Sequence, residues 1–319
     1  MITENTVFIL GAGASVPYKY PSGRELRFDI CEKFVKRIKA LGQLPQKQTS
    51  ELHDILENTR PFRDAFLKSS IYSIDFFLAR NPRFSEIGKV AIISSILEAE
   101  RNSVFREDMD EYTVQDWYSL LFNKMVEGLT APVDYRNFSE NKVTFITFNY
   151  DRSLEHFLYE SLSNSFCSTP ENKNEIKDQL RQIRIFHVYG VIDNLPWQGE
   201  GTDYKASFSL DSINRMRNNI KLIHERTALE NREMERAMRN ASRFYFLGFG
   251  YAEENLDILG IRKFFDGYKK IYGTAFRMTE KEVSEISGYL RINFKDKQVQ
   301  THNPTIARVD CYQLLRDWL

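Results

Sequence analysis

Cysteine is scarce in this chain: three among 319 residues, Cys31, Cys167 and Cys311, with no two close together. A structural zinc site needs about four Cys or His ligands at short spacings, so these cannot build a zinc ribbon and no metal is expected. Three scattered thiols also fit a reducing compartment better than a disulfide framework. Net charge is missing as well, since 44 basic residues balance 44 acidic ones. That removes the global electrostatic argument for nucleic acid, and no direct nucleic-acid binding is expected. Arg215, Arg217 and Lys221 fall on one expected helix, where a solvated face is the plainer reading than a basic patch. No apolar run approaches the ~20 residues of a membrane span. The start, Met1-Ile2-Thr3-Glu4-Asn5, lacks a signal-peptide pattern. The expectation is a cytoplasmic protein without a membrane segment, long enough to bury a sizeable core.

What is present is a set of short apolar runs, each ending in glycine or polar chemistry. Val7-Phe8-Ile9-Leu10 leads into Gly11-Ala12-Gly13-Ala14-Ser15. Such a run suits a buried parallel strand. The glycines let backbone N–H groups approach a phosphate, and a helix starting just after them would add its dipole. Val16 and Pro17 break the full G-x-G-x-x-G spacing. Val143-Thr144-Phe145-Ile146-Thr147 ends in Phe148-Asn149-Tyr150-Asp151, and Arg184-Ile185-Phe186 ends in His187-Val188-Tyr189-Gly190. Phe244-Tyr245-Phe246-Leu247 ends in Gly248-Phe249-Gly250-Tyr251. Ligands of open α/β sheets bind outside the carboxyl ends of strands, so the four exits describe one shared site.

The fold class expected is α/β, a Rossmann-like parallel sheet flanked by helices, with an inserted helical subdomain. Residues 1–30 and 141–319 form the nucleotide-binding core, and 31–140 the insert, which ends near Pro132. Within the insert, Ile87 to Leu97 and Val114 to Leu129 have helical apolar spacing. Residues 168–182, with Pro170, read as a solvent-facing loop entering a helix, and 208–242 as one or two amphipathic helices. Gly199-Glu200-Gly201-Thr202-Asp203 reads as a mobile turn able to act as a lid.

The order Gly11-Ala12-Gly13-Ala14-Ser15, Thr147-Phe148-Asn149-Tyr150-Asp151, His187-Val188-Tyr189-Gly190 and Gly248-Phe249-Gly250 resembles the sirtuin superfamily. It looks most like the bacterial sirtuin-like NAD hydrolases of anti-phage defence. Ser73-Ile74-Asp75-Phe76-Phe77-Leu78, Gly88-Lys89-Val90-Ala91-Ile92 and Asp116-Trp117-Tyr118 also look like segments of those proteins' helical region.

The resemblance implies NAD as substrate, cleaved to nicotinamide and ADP-ribose. It further implies a homo-oligomer gated by a separately encoded partner: a sensor, an ATPase, an Argonaute-type or another nucleotide-sensing protein. Without a zinc ribbon, NAD hydrolysis outweighs protein deacylation or ADP-ribosyl transfer; a non-catalytic NAD or ADP-ribose binding module is the other alternative.

The expected roles follow. Asn149 orients the ribose or the attacking water, because its amide donates and accepts without charge. His187 is the general base, with an ordinary pKa near 6.5. Asp151 either acts near the nicotinamide or caps the next helix. Gly11, Ala12, Gly13, Ser15, Thr147, Gly248, Gly250 and Glu254 are the cofactor-binding candidates, Glu254 and Asn255 equally suiting a helix cap. Arg24 is a further candidate for a phosphate.

Overall fold

A computed structural model describes residues 1–43, 50–105, 116–166, 169, 172–222, 225, 228–264, 269–291 and 303–319. Cys167, Pro170 and the start of the Val114–Leu129 pattern lie outside the described residues. In chain order, β1 (Thr6–Leu10) precedes five helices: α1 (Gly23–Gly42), α2 (Ser50–Ser69), α3 (Ile74–Arg80), α4 (Ser85–Arg101) and α5 (Trp117–Val126). Then follow β2 (Val143–Thr147), α6 (Ser153–Ser165), α7 (Lys173–Arg181) and β3 (Arg184–His187). The rest comprises α8 (Leu210–Met216), α9 (Ala228–Asn240), β4 (Arg243–Leu247), α10 (Glu253–Leu259), β5 (Lys270–Thr274), α11 (Glu280–Leu290), β6 (Thr305–Ala307) and α12 (Cys311–Trp318).

The six strands form one parallel sheet in the order β3-β2-β1-β4-β5-β6, flanked by helices: a Rossmann-like α/β fold. The described residues between β1 and β2 hold helices and no strand, and α1 runs past residue 30 to pack on α2 and α4. All of β1 is buried, which is why it reads as a continuous apolar run rather than an alternating one. In one register row, Phe145, Phe8, Tyr245 and Tyr272 stand side by side, with ring centroids 5.2, 5.2 and 5.0 Å apart. Trp318 of α12 extends this ladder, its ring 6.3 Å from Tyr272. Such stacked pairs contribute about 0.5–1.5 kcal/mol each beyond their buried area.

The strand order reverses between β1 and β4, the switch point at which such sheets bind ligands. The chain leaving β1 does not enter a helix directly. It makes two short 3-10 turns, Ala12–Ala14 and Val16–Tyr18, and α1 begins only at Gly23. Pro17 fits the first turn of the second piece, and Tyr18, fully buried, anchors it against Tyr118 at 4.0 Å between ring centroids. The expected helix start just after the glycine loop is displaced to Gly23, where a capping box of Ser22 with Glu25 occupies N–H groups of the first turn. Among the described residues, no helix is long and apolar enough to cross a membrane.

Candidate functional site

A cavity of about 550 Å³ opens at the carboxyl ends of the central strands. Gly11, Ala12 and Gly13 from the β1 exit, Phe148 to Asp151 from the β2 exit, and Gly248 to Gly250 from the β4 exit line it. Asp75 of α3, Tyr189, Phe276 with Arg277 beyond β5, and Asp310 with Cys311 at the head of α12 also line it. The β1 and β4 exits interlock. Gly11 N–H donates to the Leu247 carbonyl and Gly13 N–H to the Gly248 carbonyl, both at 3.0 Å. A Cβ on Gly13 would stand 2.8 Å from that same carbonyl oxygen, and one on Gly11 at 2.5 Å. Gly248, at φ +56°, would drive a Cβ into the Ala14 nitrogen. The small residues are therefore required first by the approach of two backbones.

Asn149 sits at the centre. Its backbone N–H donates to Thr147 Oγ1 (3.0 Å), and its side-chain Nδ2 donates to the Gly11 carbonyl (3.2 Å) and Ser15 Oγ (3.0 Å). Its Oδ1 is buried and has no hydrogen-bond partner. Ser15 and Thr147 thus act on Asn149 from behind rather than lining the cavity. Asp151 lines the cavity and also starts α6, accepting from the Ser153 N–H (3.1 Å) and the Ser153 hydroxyl. Burial raises its pKa, and Glu155 adds to the rise.

His187 lies elsewhere. It lines a second cavity, also about 550 Å³, with Glu155, Asp193, Arg215 and Lys221. One ring nitrogen, Nδ1, is 3.0 Å from the Asn149 carbonyl oxygen, and Nε2 is 2.6 Å from Glu155 Oε1. The Asn149 carbonyl can only accept, so Nδ1 carries a proton, and Nε2 is committed to Glu155. Burial alone would lower the imidazole pKa, but Glu155 and the Asn149 carbonyl outweigh it, and the pKa is raised. With both nitrogens committed to these partners, neither is free to take a proton from a ligand in the first cavity. The arrangement therefore joins His187 to the main chain of Asn149 and does not bring both side chains to one ribose. The turn after β3 swings Tyr189 into the first cavity instead, its hydroxyl donating to Asn255 Oδ1 (2.7 Å).

Gly250 and Asn255 line the first cavity, whereas Glu254 is exposed on α10. Arg24 is exposed, its guanidinium 6.0 Å from the Tyr72 ring, and does not line the cavity. The expected lid is tied down. Fully buried Arg152 pairs with Glu100 at 2.9 Å and donates to the carbonyls of Asn194, Thr202 and Asp203 at 3.0, 2.7 and 2.7 Å. Arg215, Arg217 and Lys221 do not share a helix: Arg215 closes α8 beside Asp193, and Arg217 bonds Glu51 and Glu86. In sequence, Asp75 stood only within the Ser73–Leu78 segment and Tyr150 and Tyr189 only within the exit motifs, none of them with a role. Among the described residues, no group of three His, Cys, Asp or Glu is placed to hold a metal.

No family model matches the chain. A tRNA (guanine-N(7)-)-methyltransferase of Aedes aegypti is similar to it, 29% identical over 110 residues. The likeness covers 34% of this chain and 45% of that protein, so the chain matches under half the relative's length.

Proposed function

We propose that the protein binds NAD across the β1–β4 switch point and hydrolyses its nicotinamide–ribose bond to nicotinamide and ADP-ribose. The observation that carries this reading is Asn149 Oδ1, a buried acceptor without a partner in a residue that lines the cavity. An unpaired buried acceptor costs about 1–3 kcal/mol, which a ribose hydroxyl or a water would recover. The strand order supports a dinucleotide, since 3-2-1-4-5-6 is the order of sheets that bind one at this crevice. The bond is already weakened by the positive nicotinamide ring, so orientation and a water suffice, without strong acid catalysis of the leaving group. Following the resemblance, the enzyme acts in the cytoplasm as a gated effector of anti-phage defence, switched on by self-assembly or a separately encoded partner.

The test is nicotinamide release from NAD across protein concentrations, alongside calorimetric binding of NAD. Asn149→Ala is expected to lower release at least ~10²-fold in a folded protein, the scale of losing one well-placed polar group. Unchanged release by that variant overturns the assignment. The engagement of both His187 nitrogens favours a second reading, a module that binds NAD or ADP-ribose without cleaving it. NAD binding with no product under any condition would establish that one. S-adenosylmethionine belongs in the binding series, because tighter binding of it than of NAD would point to methyl transfer instead.

A further inference from the structure

We propose that Asp75, contributed by the helical stretch between β1 and β2, is the general base of the cavity. This rests on the hydrolase reading above and deepens it. Asp75 is 9% exposed and lines the same cavity as Asn149. It stands at the start of α3, where Ser73 caps the helix by accepting from the Phe76 N–H (3.4 Å). One carboxylate oxygen, Oδ1, accepts from the Tyr150 hydroxyl, and Tyr150 is the residue directly after Asn149. The groups that present the base and the ribose are thus adjacent in the chain.

The competing bases are engaged elsewhere. His187 has both nitrogens engaged, by the Asn149 carbonyl and Glu155, and lines the other cavity. Asp151 is occupied by the first turn of α6, Glu25 by the α1 capping box, and Asp310 by the α12 cap, where it accepts from the Gln313 N–H (2.9 Å). Tyr20 and Tyr189 also line the cavity, their hydroxyls bonded to Tyr204 (2.6 Å) and Asn255 (2.7 Å). From the helices packed on α3, Arg63 of α2 turns to Asp64, and Lys89 and Glu100 of α4 turn to Glu225 and Arg152. Asp75 is left with the hydroxyls of Tyr150 and Ser73, neither of which competes as a base. Burial lifts its pKa to about 6, against the lowering pull of the Tyr150 hydrogen bond. A base works best when its pKa lies near the working pH, ionised but still able to hold a proton.

The step balances without a further reactant. A water oxygen forms a bond to the anomeric carbon as the carbon–nitrogen bond breaks. Nicotinamide departs neutral with that electron pair. The Asp75 carboxylate takes the water proton and returns it to solvent.

The experiment measures nicotinamide release and NAD affinity against pH for the whole chain, with Asp75→Asn, Asp75→Glu and Tyr150→Phe. Asp75→Asn is expected to lower kcat by about 10²–10⁴-fold with NAD affinity kept, and Asp75→Glu to restore part of it. In the wild type, kcat falls on the acid side as Asp75 protonates. Tyr150→Phe removes a hydrogen bond that favours the carboxylate, so that acid limb moves to higher pH. This shift is read even if Asp75→Asn fails to fold, and a merely structural carboxylate would not produce it. Near-normal kcat in folded Asp75→Asn, or an unmoved limb in Tyr150→Phe, overturns the assignment while leaving the hydrolase reading intact. Wild-type protein that binds NAD and releases no nicotinamide overturns both.

Discussion

His187 holds Asn149 by the backbone: the imidazole Nδ1 lies 3.0 Å from the Asn149 carbonyl oxygen, while Glu155 grips the opposite nitrogen at 2.6 Å. The pair works from outside the cavity, fixing the peptide whose side chain faces in. Glu155→Gln is expected to lower the His187 pKa, read from the ring resonances by NMR titration. With its folded pKa raised, His187 contributes stability that is complete below the ordinary value near 6.5 and lost as pH rises through the folded value. The stability gap between wild type and Glu155→Gln therefore narrows as the solution becomes more alkaline. A gap that widens instead would mean the imidazole is neutral in the fold.

The interlocked glycines make a different prediction from a phosphate cradle alone. Gly248→Ala places a side chain at φ +56° and against the Ala14 nitrogen. A loss of about 1–3 kcal/mol from backbone strain, with overlap added, is expected in a denaturant melt. Gly13→Val should lower both stability and NAD affinity for the same reason. Gly23→Ala is the control, since nothing stands within 4 Å of its Cβ. Undiminished stability in Gly248→Ala would contradict the packing argument.

Arg152→Ala strands the Glu100 carboxylate, which like Arg152 is fully buried. Breaking such a pair on one side typically costs about 3–5 kcal/mol. The loop carbonyls of Asn194, Thr202 and Asp203 lose their donor as well. Hydrogen exchange in residues 194–203 should rise sharply in this variant and stay slow in the wild type. Fast exchange in the wild type would restore the lid reading.

His156 stacks on Tyr204 with ring centroids 3.7 Å apart, and burial, helped by Arg152 and Lys205, pushes its pKa down to about 4. The folded state keeps it neutral, while the unfolded chain takes a proton near pH 6.5. Stability from this residue is present above 6.5 and drains away as pH falls toward 4, by as much as ~3 kcal/mol. His156→Phe keeps a ring against Tyr204 and should flatten that decline. Urea midpoints at pH 7 and pH 4.5 decide it; equal declines in both proteins would remove His156 as the cause.

The central sheet was legible because β1, β2 and β4 are buried on both faces and so read as unbroken apolar or β-branched runs. β3 is shorter and less buried, but stood out by its exit motif. β5 and β6 were not read: Lys270 and Gly273 interrupt the first, and the second has only three residues, Thr305, Ile306 and Ala307. The Gly11–Gly13 and Gly248–Gly250 exits were placed at the cavity from sequence, as were Asn149 and Asp151. The direction of His187 was not, because it depends on the turn after β3 and on Glu155, a residue of α6 indistinguishable in sequence from a surface glutamate. Asp75 was given no role for another reason: 73 residues lie between it and Asn149, and only the packing of α3 joins them.

The aromatic row across the sheet has an optical consequence. Phe8, Tyr245 and Tyr272 lead by stacking steps to Trp318, one of three tryptophans in the chain, and the Tyr245 hydroxyl bonds the Trp318 carbonyl at 2.5 Å. Light absorbed by those tyrosines is passed to the indole at such separations, so Trp318 emission excited through tyrosine reports the seating of α12 on the sheet. Asp310 and Cys311, at the head of that helix, line the cavity, so a ligand that shifted α12 on the sheet would be read in the emission of Trp318 at its other end.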